Sequence, residues 1–394
     1  MKITKLDIEG FRSLRKVSWQ PGDLNVVIGP NGSGKSNLLR FLELIAVSAQ
    51  GKLEKYIQLL GGMEAIVWDG AASSIKFDID FRPTSGSDNA HYELELERIR
   101  FENYYQISKE LLTELCKNKN THEDQMSTFL LRNKQETLFF NGENELPVPV
   151  LKKFALSKES MLSFSNSPFS DNFNIPFCQE DIASIIVYHD LRTDKDSPIR
   201  QPTITQLEKR IEPDGQNLIA VLHTLYTGDR DFKNDINSAM RVAFGDDFEE
   251  LVFPPASDQR IQLRVRWKSL KREQSAADLS DGTLRFLFLL TVLASPDPPP
   301  VIAIDEPETG LHPSMFPIVA EFAQDASLRS QVILATHSPQ FLDAFTDAMP
   351  TTTVALWENG ETILRTLPKQ ELEYWLKEYS LGALFRSGEL EQMG

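Results

Sequence analysis

The stretch Gly29-Pro30-Asn31-Gly32-Ser33-Gly34-Lys35-Ser36 spaces its glycines, its lysine and its hydroxyls as a polyphosphate requires. The pattern G-x-x-x-x-G-K-[ST] makes a loop at the start of a helix, where backbone N–H groups point at an anion. Its glycines let the main chain approach phosphate oxygens without a Cβ in the way. Lys35 supplies a point charge for the β and γ oxygens, and the Ser36 hydroxyl can ligate Mg²⁺. Asn31, Gly32, Ser33, Gly34, Lys35, Ser36 and Asn37 are therefore the candidate nucleotide-binding residues. The plain alternative is a glycine turn ahead of an ordinary helix.

Two further polar groups follow continuous apolar runs. Asp305 and Glu306 come directly after Val301-Ile302-Ala303-Ile304, and Thr336-His337-Ser338 after Val332-Ile333-Leu334-Ala335. Open α/β sheets bind ligands at the carboxyl ends of their strands, which is where these groups fall. Asp305 can hold Mg²⁺ directly or through water, and so joins Ser36 as a candidate metal ligand. Glu306 can orient or deprotonate the water that attacks a γ-phosphate, and His337 can hydrogen-bond that phosphate or that water. These two are the candidate catalytic residues, although a histidine after a strand also serves as a structural residue. A third group, Leu279-Ser280-Asp281-Gly282-Thr283-Leu284-Arg285, precedes an apolar helix. A serine and a glycine at a helix start make a second anion site, which adds Ser280, Asp281 and Gly282 to the nucleotide-binding set. Any N-capped helix reads similarly.

These groups need elements to hold them. Leu24-Asn25-Val26-Val27-Ile28 reads as a short buried strand entering the loop, and Leu38, Leu39, Leu42 and Ile45 recur after it at helical spacing. Pro298-Pro299-Pro300 stops a helix and stiffens entry into the strand 301–304; a helix over 316–326 and the strand 332–335 follow. That β, α, β order predicts a parallel sheet and an α/β fold. Ile3, Leu6 and Ile8 predict a strand with a turn at Gly10, while 74–81 and Tyr92, Leu94, Leu96 alternate with polar residues as antiparallel strands do. Residues 61–70 form a glycine-bounded connection. Residues 107–116 read as a helix, Asn141-Gly142 as a hairpin tip, and the polar text over 157–174 as an exposed loop or mobile lobe. Residues 182–188 and 261–267 read as strands, with a turn at Pro213-Asp214-Gly215 before a helix over 217–226.

Bulk properties bound the function. The 394 residues suffice for one large or two ordinary domains, and 41% hydrophobic with 25% charged residues is a globular composition. The apolar run 284–294 is too short for a bilayer span, and the first residues do not form a secretory signal, so a cytoplasmic site of action is expected. Cys116 and Cys178 are too few and too far apart for a disulfide framework. A net charge of −16 argues against a surface that is basic throughout. It leaves room for a local basic groove at Lys117-Asn118-Lys119-Asn120 or along Arg260, Arg264, Arg266, Lys268, Lys271 and Arg272; the alternative for both is a solvated face. The pairs Asp246-Asp247 and Glu249-Glu250 are either metal ligands or a solvated turn.

The order GPNGSGKS, LSDGTLR, VIAIDEPETGLHP, VILATHSPQFLD resembles the ABC-type ATPases of the SMC, RecF and OLD-like group, in particular stand-alone bacterial AAA proteins linked to genome maintenance or phage defence. The segments 306–313 and 336–342 are specific to that group, and the opening ITKLDIEGFRSL and Leu381-Gly382-Ala383-Leu384-Phe385 look familial. The resemblance covers about residues 30–100 and the chain from about 275 onward. It implies a P-loop NTPase of ABC-ATPase type: a mostly parallel central sheet, an antiparallel β subdomain, and an inserted, mainly helical lobe. The domains it implies are 1–100 for the front of the head, 101–270 for the inserted lobe, and 271–394 for the back of the head. It further implies ATP and Mg²⁺ as cofactors, and a homodimer in which ATP bound by Lys35 of one copy is covered by Ser280 and Gly282 of another. Glu308, Thr309 and His312 would sit on a loop across that dimer, His312 alternatively being an ordinary surface residue. Asp281 departs from the glycine usual in the signature, and 61–70 stands roughly where a metal-sensing glutamine is found in transporters.

Five functions follow for weighing. The first is an ATP-gated switch serving phage defence through a separately encoded effector such as a nuclease. Its alternative is a DNA repair or recombination ATPase that binds DNA itself. An OLD-like nuclease would need a carboxylate-rich domain after His337, where a short tail stands. A transporter subunit would need a membrane partner, and a non-hydrolysing scaffold is disfavoured by Lys35, Ser36, Asp305, Glu306 and His337 together.

Overall fold

A computed structural model of the chain describes residues 1–84, 89–99, 104–117, 124–134, 136–140, 148–149, 158–164, 174–189 and 191–393. They form two compact units: Met1–Ile185 with Thr351–Leu367, and Ile186–Pro350 with Pro368–Met393.

The first unit contains an eight-stranded sheet of β1 (Lys2–Phe11), β2 (Leu14–Trp19), β4 (Ser74–Arg82), β5 (Ala90–Arg98), β6 (Tyr105–Lys117), β7 (Asp124–Arg132), β8 (Thr137–Phe139) and β9 (Val148–Pro149). Its order is β2-β1-β4-β5-β6-β7-β8-β9, and every neighbouring pair is antiparallel. Alternation sets the register, so that Ile79 of β4 stands opposite Leu6 of β1 on one side and Tyr92 of β5 on the other. The strand β3 (Leu24–Ile28) is buried at all five positions and leads through the glycine loop into the helix α1 (Lys35–Ala49). α1 buries Leu38, Leu39, Phe41, Leu42 and Ile45. Phe41 joins an edge-to-face chain, Phe11–Phe41–Phe77–Tyr92, with ring centroids 5.0, 5.8 and 5.6 Å apart, so the rings tie the helix to β1, β4 and β5. β3 also pairs in parallel with Thr351–Glu358, which turns through Asn359 and Gly360, both at positive φ, into Glu361–Thr366.

Several local expectations change. Residues 107–116 are not helical; they lie in β6. Glu110 points inward with no exposed surface, accepting from Met161 N at 2.8 Å, Leu162 N at 3.0 Å and Ser160 Oγ at 2.7 Å. An irregularity between the Lys109 and Ile107 pairings also shifts the register, so the apolar residues fall at helix-like spacing within a strand. Gly10 is not a turn but lies inside β1 at φ +80°, where a Cβ would also sit 2.2 Å from Ser74 O; the chain turns at Arg12, φ 46°. Residues 61–70 hold the helical turns Met63–Ile66 and Trp68–Gly70. Residues 182–188 split between the helix α2 (Asn174–Ala183) and the strand β10 (Ile186–Tyr188). Asn141-Gly142, Asn118 to Asn120, and 157 and 165–173 of the polar text lie outside the described residues.

In the second unit, β10, β13 (Val301–Asp305) and β14 (Gln331–Thr336) run parallel in that order, and the helix α6 (Phe316–Ser327) connects β13 to β14 as expected. The unit also holds α3 (Leu218–Gly228), α4 (Arg230–Phe244), the antiparallel strands β11 (Phe248–Val252) and β12 (Arg264–Trp267), and the deeply buried α5 (Asp281–Leu293). The chain is thus α/β. The helical character expected of 101–270 appears only from α2 onward. Its front is β6 to β9, and the stretch is divided between the two units.

Candidate functional site

The first unit carries the glycine loop of the sequence-derived set, and the second carries the other two groups. In the first, Gly34 ends the loop at φ +98° as the residue before α1; a Cβ on it would lie 2.0 Å from Thr362 Oγ1. Asn31, Gly32 and Ser36 are exposed, whereas Ser33 and Lys35 are buried. Lys35 Nζ donates to Gly29 O at 2.8 Å and Pro30 O at 3.0 Å, which draws the ammonium over the loop it must serve. A second layer fixes the loop from beneath. Thr362, fully buried, donates to Ser33 O at 2.9 Å and lies 2.7 Å from Ser13 Oγ, which accepts from Asn37 Nδ2 at 2.7 Å.

In the second unit the parallel strands deliver the acidic and imidazole groups to one end. Asp305 closes β13, and Glu306 follows at φ 47°, its N–H donating to Ala335 O of β14 at 2.8 Å. A left-handed non-glycine residue costs about 1–3 kcal/mol, held here by that bond and the turn to Thr309 N, and it aims the Glu306 carboxylate across to β14. Glu306 Oε1 lies 3.0 Å from His337 Nδ1, and Glu308 Oε1 lies 3.8 Å from the same atom, as electrostatic contacts without hydrogen-bond alignment. Glu308, expected on a loop across a dimer, is instead buried and accepts from Thr336 Oγ1. Burial pushes its carboxyl above the ordinary value, with the Thr336 bond working in the opposite direction. His189, just after β10, places Nδ1 3.6 Å from Asp305 Oδ2.

The third group starts α5. Ser280 caps the helix, accepting from Thr283 N at 3.1 Å, and both Ser280 and Asp281 are exposed. Gly282 is dictated by close approach, since a Cβ would stand 2.6 Å from Gly310 O. Asp281 pairs its carboxylate with Arg200. Arg200 is buried and fastens the whole approach to the helix: Nε donates to Thr193 O at 2.7 Å, and Nη1 to Leu279 O at 2.7 Å and Ala276 O at 3.1 Å. His312 is exposed and caps the turn Pro313–Met315, accepting from Ser314 N.

Taken separately, the donors of each unit are of kinds that Mg²⁺ and a polyphosphate take. Asp305 Oδ1 is buried without a hydrogen-bond partner, a hard oxygen of the kind Mg²⁺ takes, and Ser36 offers an exposed hydroxyl at the helix start. Of the other charged candidates, part forms paired faces. Arg266 binds Glu250 and Glu273, Arg264 lies 3.9 Å from Glu273, and Asp247 accepts from Ser269. The sequence reading missed Thr362, Ser13, Arg200 and His189. None of them carries a local motif, because each acts through backbone carbonyls or residues distant in the chain. No helix among the described residues is long and apolar enough to cross a membrane.

A family model described as an AAA domain, putative AbiEii toxin, Type IV TA system, matches residues 24–343. Among solved structures, an SMC head bound to the C-winged helix domain of ScpA is similar at 14% identity with a TM-score of 0.56, covering 95% of this chain and 100% of its own. An SMC head with an extended coiled coil, bound to the C-terminal domain of ScpA derived from Pyrococcus furiosus, is similar at 14% identity with a TM-score of 0.53, covering 96% and 99%. At that identity the likeness is one of fold. No curated protein matches the chain.

Proposed function

We propose, for a chain that belongs to the AAA_21 family of AAA domains and is an ABC-type ATPase of the SMC and RecF-like group, the role of an ATP-driven switch. ATP joins two copies head to head, hydrolysis parts them, and a separately encoded effector such as a nuclease responds, in phage defence. The observation that carries the hydrolytic part is the meeting of Asp305, Glu306 and His337 at the carboxyl ends of two parallel strands, with Glu306 locked in a left-handed turn. Lys35 and the amides of 31–37 bind and orient the triphosphate. Mg²⁺, with Ser36 and Asp305 as its ligands, would offset the charge of the phosphates. Glu306 orients or deprotonates the attacking water, and His337, 3.0 Å from that carboxylate, holds the water or the γ-phosphate. The exposed start of α5, with Ser280 and Gly282, supports covering of the nucleotide by a second copy.

Direct DNA repair or recombination activity has less support, because the net charge is −16 and pairing of Arg264 and Arg266 with glutamates leaves only Arg260, Lys268, Lys271 and Arg272 of the basic run. The deciding experiment is Glu306→Gln. Hydrolysis should slow by about 10²- to 10⁴-fold while ATP remains bound, and light scattering should show a dimer with saturating ATP and Mg²⁺. Unchanged turnover would remove Glu306 from the chemistry, and a monomer would remove the paired head.

A further inference from the structure

Within the second unit, α4 and α6 form the walls of a groove of about 600 Å³ that reaches the last residue of α5. Its floor is apolar, with Phe232, Ala239, Leu293 and Ile318 among the lining residues. Val242 and Leu328 also line it and stand 71% and 84% exposed, which is unusual for two large aliphatic side chains facing one hollow. The charged part of the lining is Asp229, Asp231, Asp235, Glu321 and Asp325 against one cation, Arg329. Arg329 is committed elsewhere, donating to Ser295 O at 2.9 Å and Leu293 O at 3.4 Å at the end of α5. Among the described residues, Asp231, Asp235, Glu321 and Asp325 form no ion pair. The field they create is felt inside the groove: burial, then the charges of Asp231 and Asp325, raise the Asp235 carboxyl above its ordinary value despite Arg329.

We propose that this groove docks a basic, amphipathic helical segment of a partner protein, its apolar face on the floor between Val242 and Leu328 and its lysines or arginines against the carboxylates. The chemistry selects that occupant. A nucleic acid or an anionic lipid surface would be repelled by the same carboxylates. A second copy of this chain is a poor match, because its net charge is −16 and its basic run over 260–272 lies in strand and loop text, not on a helix with an apolar stripe. A metal ion has no use for the apolar floor, and the cluster of metal-ligating side chains among the described residues, Asp78, His91 and Glu93, lies in the other unit. A helix lying between two helices with an apolar stripe and a charged flank is an established way for a groove to recognise a peptide. The proposal goes beyond the nucleotide reading and does not rest on it, since no groove residue belongs to the 29–37 loop, the start of α5 or the Asp305 turn.

The test uses the full chain without nucleotide, at about 150 mM salt so that long-range attraction is screened. The probe is a fluorescein-labelled synthetic helix of about 14 residues repeating Leu-Lys-Lys-Leu, roughly the length of α4. A Ser-Lys-Lys-Ser peptide of equal charge is the control. By fluorescence anisotropy the leucine peptide should bind at least about tenfold more tightly than the serine peptide. The double variant Asp235→Lys/Glu321→Lys should weaken it by about tenfold or more, while Asp246→Lys/Glu249→Lys, outside the groove, should leave it unchanged. Should the reversal variant melt early, Leu328→Ser supplies the same answer at an exposed position: it should lower affinity for the leucine peptide and leave the serine peptide alone. The proposal is overturned if the two peptides bind alike, if both double variants lose affinity equally, or if the leucine peptide does not bind.

Discussion

Arg200→Lys separates the two halves of the proposed mechanism. Arg200 reaches Thr193 O through Nε and the Leu279 and Ala276 carbonyls through Nη1, and it pairs with Asp281. A lysine keeps the charge, but its single nitrogen cannot serve both the Thr193 side and the Leu279 side. Two charge-assisted bonds lost in a buried setting, at about 1.5–3 kcal/mol each, make on the order of 3–6 kcal/mol. If half of that is released by movement of the loop before Ser280, the defect is about 1.5–3 kcal/mol per copy. A head-to-head pair contains this loop twice, so pairing weakens by about 3–6 kcal/mol, or roughly 10²- to 10⁴-fold. ATP binding by an isolated copy, which depends on the Lys35 loop, should not change. Fluorescent-nucleotide titration at low protein concentration reads the second quantity. Sedimentation in the Glu306→Gln background, with ATP and Mg²⁺, reads the first. An Arg200→Lys protein that pairs as tightly as its parent would refute the argument that Arg200 sets the loop for a partner.

Three further outcomes are expected. Lys35→Ala removes charge-assisted bonds worth about 1.5–3 kcal/mol each and should abolish measurable ATP binding in calorimetry; retained affinity would count against the phosphate loop. Thr362→Val keeps the shape but strips Ser33 O of its donor, a loss of about 1–3 kcal/mol, so titration should find nucleotide affinity down by roughly 5- to 150-fold; if only thermal stability falls, Thr362 supports the fold and not the loop. Glu308 titrates above the ordinary glutamate value when folded, so its stabilising contribution is complete below the unfolded value and is lost as pH rises through the folded one. Denaturant titrations at acid and neutral pH should therefore show wild type losing ground to Glu308→Gln as pH increases, and a constant difference would contradict the assignment.

What could be read in advance depended on whether the cause was local. The glycine loop, β3 and α1 are neighbours in sequence, and β13 and β14 are continuous apolar runs ending in polar groups, so their places were legible. Residues 107–116 were misread because the inward Glu110 and a register irregularity hide the alternation that a half-buried strand normally shows. Arg200 was invisible for a different reason: most of its partners are main-chain carbonyls, which look alike at every residue. Thr362 acts on Ser33 from the far end of the chain. The 101–270 stretch looked like one insertion, yet its strands continue the sheet begun by β1, while α3 and α4 belong to the other unit.

The first unit is completed by Thr351–Leu367, so the order of synthesis matters. Synthesis must run past residue 362 before Thr351–Glu358, which pairs with β3, and the hydroxyl beneath Ser33 can join residues 1–185. Until then the nascent chain carries its phosphate loop without the hydroxyl that supports Ser33 O. A messenger truncated before codon 351 would yield a product that keeps the entire signature motif and still lacks a finished cradle, one that quality control should clear as misfolded protein.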